Sequence, residues 1–441
     1  YGVLLLALFA LYWLLYRKVL DDPSASLKRV LGASCLLALP LLFIYPINAN
    51  DVYRYVIRGL ISSRFGVSPF EYAPADFGDQ LYPLLAGEWF DATSPYGPIW
   101  ELTASMVTSI GQDSFLVNIL VFKVLGLLSL VGAGAILWML FALRGPGGQK
   151  NLNRRAAFTV LWALNPALLL TFVGNAHNDA LMIVILLTGW LVINSGYRGP
   201  GFLLFLAAGL IKPIALLAAP VAFVSSWRAL DNGRSRMTYL LWVFAGGGAL
   251  LLLAFLPFGN PAPLIMRLLS EASAGASFSP LTLLILIGRE LGLSMSISVL
   301  ARAATVLFAL FFIWVLWRTW RGRSAEQGQA YLFWGYILQA LNFRIWYASW
   351  PFPWLLLDAF DGEKHAVRGL HAGLWFLVTS QLSVIIYIHF RITFLGGSQF
   401  LAHLIGIPFV FMLPFVLAWF SVPGQDATGS EDRLLEVKTQ A

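Results

Sequence analysis

The sequence predicts an all-α, polytopic transmembrane bundle, and three observations carry that expectation. Of 441 residues, 59% are hydrophobic and only 12% are charged, where a soluble domain carries about a quarter charged. Mean hydropathy is +0.75. The apolar residues fall in separate blocks of helix-spanning length, about 20 residues each. A membrane barrel would instead alternate apolar and polar positions over about ten residues. With the polar stretches set aside, the chain has room for about 10–12 spans.

The blocks and their basic flanks set an expected topology. The first apolar run, Tyr1 to Tyr16, has neither a basic leading region nor a small-residue cleavage site, so it reads as a span and not as a signal peptide. Arg17, Lys18, Lys28 and Arg29 follow it, and Arg144, Lys150, Arg154 and Arg155 follow the block from Ser114 to Leu143. Arg228, Arg234, Arg236, Arg318, Arg321, Arg323, Lys364 and Arg368 mark later loops. The positive-inside bias places all of these in the cytoplasm. Segments 48–98, 174–179, 258–280 and 342–350, and the region around Arg391, then face the opposite side. The net charge of +7, from 29 basic and 22 acidic residues, is spread over those loops. Nucleic-acid binding needs charge gathered on one face, so no such partner is expected.

Two segments resist simple counting. Between Tyr197 and Ser226 an apolar stretch is interrupted at Lys212 and Pro213, yet both flanks are basic. A re-entrant or broken helix pair with Lys212 near its tip reconciles them, since broken backbone is tolerated at membrane depth where protein or water covers it. The run from Gly97 to Gly111 is too short to span and reads as a surface helix of the first outer loop. Gly132, Gly134 and Gly246 to Gly248 are expected at close helix approaches. Cys35, the single cysteine, is expected in packing. Residues 1–420 form one membrane domain, and the polar stretch 421–441 reads as a solvated cytoplasmic tail.

Chemistry-bearing residues concentrate on the outer side. Asp51 falls just after a span. It either caps the helix expected from Val52 to Arg64 or serves a reaction, and spacing leaves both open. Tyr55 and Arg58 follow at helical offsets on the same face, with Arg54 beside them. Asn175, His177, Asn178 and Asp179 form a second cluster within five residues, able to bind hydroxyls, although Asp179 as a helix cap is the plainer alternative. Lys212, Arg344, Tyr347 and Arg391 lie near or inside the membrane, where a charge usually faces a cavity or a partner. Trp346, Trp350 and Trp354 read as interface belt rather than sugar-stacking surfaces. Glu71, Asp76 and Asp79 read as solvated. No phosphate-cradling glycine loop and no metal-ligand spacing occurs in the sequence.

In order, Asp-x-Tyr-Arg-Tyr from Asp51, Pro69 to Pro74 with Tyr72, Pro95 to Pro98 with Tyr96, Asn165-Pro166, the Gly174 to Asp179 cluster, Lys212-Pro213 and Trp346-Tyr347 resemble the bacterial GT-C glycosyltransferases. Within them the chain is most similar to polyprenol-phosphate-mannose-dependent mannosyltransferases. Many relatives carry an acid just after the Tyr-Arg-Tyr motif, where this chain has Val56, Ile57 and Arg58. The resemblance implies a multi-pass enzyme of a bacterial-type plasma membrane with its active site on the extracytoplasmic face. It implies transfer of a sugar, mannose foremost, from a polyprenyl phosphate donor to an acceptor glycan or glycolipid, with inversion. Asp51 matches the family's catalytic base. Tyr55, Arg58, Tyr72, Tyr96, Asn175, His177, Asn178, Asp179 and Tyr347 become candidates for substrate binding, and Arg54, Lys212, Arg344 and Arg391 for the phosphate. The scheme requires no cofactor, and its remaining partners are membrane lipids. The alternative is a transporter or flippase of a lipid-linked substrate, working through Lys212 at the midplane.

Overall fold

The computed structural model describes residues 1–421, apart from residues 23, 82, 145–148, 272–276 and 294–295. Of the expected tail, 421–441, Ser421 ends the last helix, and residues 422–441 lie outside the described residues. In chain order the helices are α1 (Gly2–Leu20), α2 (Leu27–Phe43), α3 (Asp51–Phe65), α4 (Pro98–Gly111), α5 (Phe115–Ala142), α6 (Asn151–Gly174), α7 (Asp179–Asn194), α8 (Arg198–Gly209) and α9 (Pro213–Arg228). Then follow α10 (Gly233–Phe255), α11 (Ala262–Glu271), α12 (Pro280–Glu290), α13 (Ile297–Trp320), α14 (Ala325–Gln339), α15 (Phe352–Ala359), α16 (Lys364–Phe394) and α17 (Gln399–Ser421). No strand occurs among the described residues.

Seven of these helices, α1, α5, α6, α10, α13, α16 and α17, are long and apolar enough to cross a membrane. The expected 10–12 spans counted apolar blocks, and several blocks are shorter than a span. The helices α7 and α9 are apolar but have fewer than 18 residues, and α2 has 17. The bundle is built around α6, whose most apolar stretch is 94% buried, against 6% for α13. Around α6 lie α1, α2 and α5, while α5 also packs on α7 and α7 on α8.

Local chemistry sets the helix ends. The hydroxyls of Ser26, Ser114, Ser279 and Ser324 accept backbone N–H bonds at the starts of α2, α5, α12 and α14, as short polar side chains do at helix N-termini. Asn165 does the same where α6 breaks and restarts at Pro166. Lys123, fully buried on α5, donates to the carbonyls of Leu41 and Ile44 at 2.9 and 2.5 Å. It satisfies the carbonyls left open where α2 ends.

The interrupted stretch forms a helix pair. After α8 the chain turns at Lys212 into α9, whose first residues, Pro213–Leu217, form a 3₁₀ turn. The open carbonyls of Leu210 and Ile211 at this tip accept the N–H groups of Ile99 and Gly97 at 2.9 and 3.0 Å. The start of α4 is thereby docked on the hairpin. At the other end of α9, Arg228 donates to the Thr319 carbonyl at 3.0 Å, close to the basic residues that end α13.

Among the small residues, Cys35 and Gly248 depart from expectation. Cys35 is exposed on the outer face of α2 and fills no core. A Cβ on Gly248 would meet nothing within 4 Å, whereas one on Gly97 or Gly126 would lie 2.1 or 1.9 Å from the Leu210 or Phe172 carbonyl oxygen. A Cβ on Gly134, Gly246 or Gly247 would lie 2.9–3.1 Å from a leucine side chain, so these three sit at close approaches as expected and Gly248 does not.

Candidate active site

Asp51 is the first residue of α3, whose N-cap is Asn50. Its side chain caps nothing. It is buried, and its Oδ1 accepts from Arg54 Nη1 at 3.2 Å and from the Tyr96 hydroxyl at 3.3 Å. Burial pushes this carboxyl up. The charges of Arg54, Lys212 and Arg344, with His177 beside it, outweigh burial and hold it below the ordinary carboxylate value. A helix N-terminus also favours negative charge. The acid is thus ionised and, though largely buried, faces cationic neighbours.

One and two turns along the same face, Tyr55 and Arg58 are buried as well. The Tyr55 hydroxyl donates to Asn178 Oδ1 at 3.2 Å, and its ring meets Trp100 edge-on at 4.7 Å. Arg58 donates to the carbonyls of Ala92 and Thr93, both at 3.2 Å, and lies over the Tyr96 ring at 5.9 Å.

The cluster between α6 and α7 turns sharply at Ala176, whose φ is +56°. Such backbone is costly for a residue with a side chain and collects at functional turns. Asn175 Oδ1 accepts from the Ile47 N–H at 2.9 Å, tying the cluster to the chain just before Asp51. The His177 ring stacks on Trp346, centroids 4.0 Å apart, and burial pushes its imidazole below the usual range, so it is neutral at pH 7. Asp179, fully buried, accepts from Lys212 Nζ at 2.8 and 2.9 Å and from Trp350 Nε1 at 2.5 Å. It does not cap α7. Lys212 lies over the rings of Trp350 and Tyr347 at 5.4 and 5.8 Å, and those rings stack at 4.0 Å.

These parts converge on a cavity of about 850 Å³, within the range of about 300–1,000 Å³ usual for ligand sites. Its polar wall includes Asp51, Arg54, Arg58, Tyr96, Lys212, Arg344 and Tyr347, and its apolar wall includes Ile214, Leu216, Leu217, Leu268 and Phe312. Tyr55, Asn175, His177, Asn178 and Asp179 stand behind this wall and fix the residues that line it. Tyr72 is exposed, and Arg391 lies over Tyr387 at 5.0 Å; neither lines the cavity.

The tryptophans depart from an interface belt. Trp350 and Trp354 are buried in the bundle, and Trp346 and Trp89 line the cavity. Sequence reasoning also passed over Glu101, a buried acid on α4. A lone Glu in an apolar helix was the signal that could have found it. Among the described residues, no three His, Cys, Asp or Glu side chains are grouped to hold a metal ion.

Residues 2–229, just over half the chain, match the family described as the N-terminal domain of alpha-(1->6)-mannopyranosyltransferases. The chain belongs to this family. Alpha-(1->6)-mannopyranosyltransferase A of Mycobacterium tuberculosis is 29% identical over 258 residues, covering 58% of this chain and 46% of the relative. Its counterpart A in Corynebacterium glutamicum is 27% identical over 208 residues, 46% of this chain and 40% of the relative. Alpha-(1->6)-mannopyranosyltransferase B of that organism is 25% identical over 210 residues, 45% and 33%. The chain spans less than half the length of the curated relatives it matches. The matched stretch contains α1 to α9, and so every cavity residue up to Leu217.

Proposed function

We propose that this family member is a mannosyltransferase that takes mannose from a polyprenyl phosphate carrier on the extracytoplasmic face and forms an α-(1→6) linkage to an acceptor glycan. The observation that carries this is the buried, ionised Asp51 on the wall of a cavity it shares with Arg54, Lys212 and Arg344. The activity for which the relatives are named supports the sugar and the linkage.

The acceptor hydroxyl attacks the anomeric carbon, its proton passes to Asp51, and the bond from that carbon to the phosphate oxygen breaks. The electron pair leaves with polyprenyl phosphate. Lys212 and Arg344 offset the charge gathering on that phosphate. Displacement from the face opposite the phosphate inverts the anomeric centre, so an α product requires a β-linked donor. The lipid chain lies along Ile214, Leu216, Leu217 and Phe312, which continue the cavity in apolar form.

The test is turnover by purified protein with a polyprenyl phosphomannose donor and a mannoside acceptor. Asp51→Asn keeps the shape but cannot take a proton, and the expected loss in kcat is about a hundredfold or more. Unchanged turnover in that variant would falsify the base assignment.

A further inference from the structure

The chemistry above leaves one buried acid unused. Glu101 sits in the first turn of α4, 1% exposed. Its Oε1 accepts from the Ser94 hydroxyl, while Oε2 is buried with no hydrogen-bond partner. Ser94 is fully buried; its N–H donates to the Pro69 carbonyl at 2.8 Å, and its Oγ accepts the Tyr96 N–H at 3.2 Å. Tyr96 in turn donates its hydroxyl to Asp51. From the other side, Arg58 grips the carbonyls of Ala92 and Thr93, and its charge is the strongest one acting on Glu101. Segment 92–96 is therefore a strap, held on α3 by Arg58 and on α4 by Glu101, with Tyr96 at the cavity.

We propose that Glu101 is a positioning residue for the base: its carboxylate holds Ser94 and offsets Arg58, and these fix strap 92–96 so that the Tyr96 hydroxyl rests on Asp51. This rests on the reading of Asp51 as the base. Burial pushes the Glu101 carboxyl up to about 7, against the opposing pull of Arg58 and Ser94. Above that value the carboxylate offsets Arg58. Below it Glu101 is neutral, and Arg58, which also faces Tyr96, Arg54 and Arg267, loses its counter-charge and slackens the strap. Asp51, held low, stays ionised throughout this window, so the two acids separate in pH.

The experiment measures kcat and donor KM of the full chain between about pH 6 and about pH 8 for the parent, Glu101→Gln, Glu101→Asp, Ser94→Ala and Asp51→Asn. The parent kcat is expected to fall as pH drops through about 7. Glu101→Gln should lose that inflection and run flat, about tenfold to a hundredfold below the parent's upper plateau, with donor KM within about twofold. Glu101→Asp should regain part of the plateau. Ser94→Ala should lower kcat yet keep the inflection. A Glu101→Gln enzyme with the parent's kcat or the parent's inflection overturns the proposal. If Glu101→Gln does not fold, Ser94→Ala decides: reduced kcat with unchanged KM supports it, and parent kinetics overturn it. Full activity in Asp51→Asn would instead remove the base reading itself.

Discussion

Lys212 and Asp179 show how a scarce charge is made tolerable in this chain. The carboxylate is 0% exposed and the ammonium 14%; each would be very costly alone, and their geometry is close to bidentate. Removing one partner of such a pair strands the other, a loss of about 3–5 kcal/mol. Lys212→Met is therefore expected to lower the unfolding midpoint in detergent markedly, and Lys212→Met combined with Asp179→Asn to recover most of it. Neither variant should regain turnover, because the cation that the proposed reaction places at the phosphate is gone. A double variant no more stable than the single would show that the pair does not carry this energy. The sequence made Lys212 visible, because a lysine inside an apolar stretch must face a partner or a cavity. Its partner was not visible: the two lie 33 residues apart, and a polar turn before a helix offers Asp179 a plainer role. Trp346 and Glu101 were hidden for the same kind of reason, since a tryptophan at a boundary usually marks an interface, and Glu101 is read correctly only beside Arg58 and Ser94.

At the scale of elements, the decisive joint is where α4 meets the tip between α8 and α9. Two N–H groups at the start of α4 close the open carbonyls of Leu210 and Ile211, and only a glycine fits at position 97, where a Cβ would come within 2.1 Å of backbone oxygen. Backbone cannot swing aside as a side chain can. Gly97→Ala is thus expected to cost about 1–3 kcal/mol and to reduce turnover, because the strap bearing Tyr96 and the tip bearing Lys212 move apart. Gly248→Ala, in open space, should match the parent in thermal unfolding and in activity. Equal behaviour of the two variants would remove the joint as a determinant of the site. The interrupted helix was legible because basic flanks at both ends forbid a single crossing. The count of spans was less legible: composition reports apolar length, and the break at Lys212 divides one such length into two helices shorter than a span.

For the whole molecule, the positive-inside bias predicts which face carries the chemistry, and the fold lets that be tested residue by residue. Segments 48–51, 95–96 and 342–350 all contribute to one cavity, although the last lies more than 240 residues along the chain from the other two. The ends of α9 and α13 that carry basic residues meet elsewhere, where Arg228 donates to the Thr319 carbonyl. If loops rich in arginine are cytoplasmic, the cavity opens outward. Cys35, exposed on α2, is first replaced by serine to give a silent background. Asn50→Cys, at the cavity, is then expected to react in intact cells with a maleimide that cannot cross the membrane. Asp231→Cys, in the exposed loop after α9, should react only after the cells are permeabilised. The reverse pattern would place Asp51 on the cytoplasmic side, where an outward-facing lipid-linked donor could not reach it, and the proposed reaction would lose its substrate.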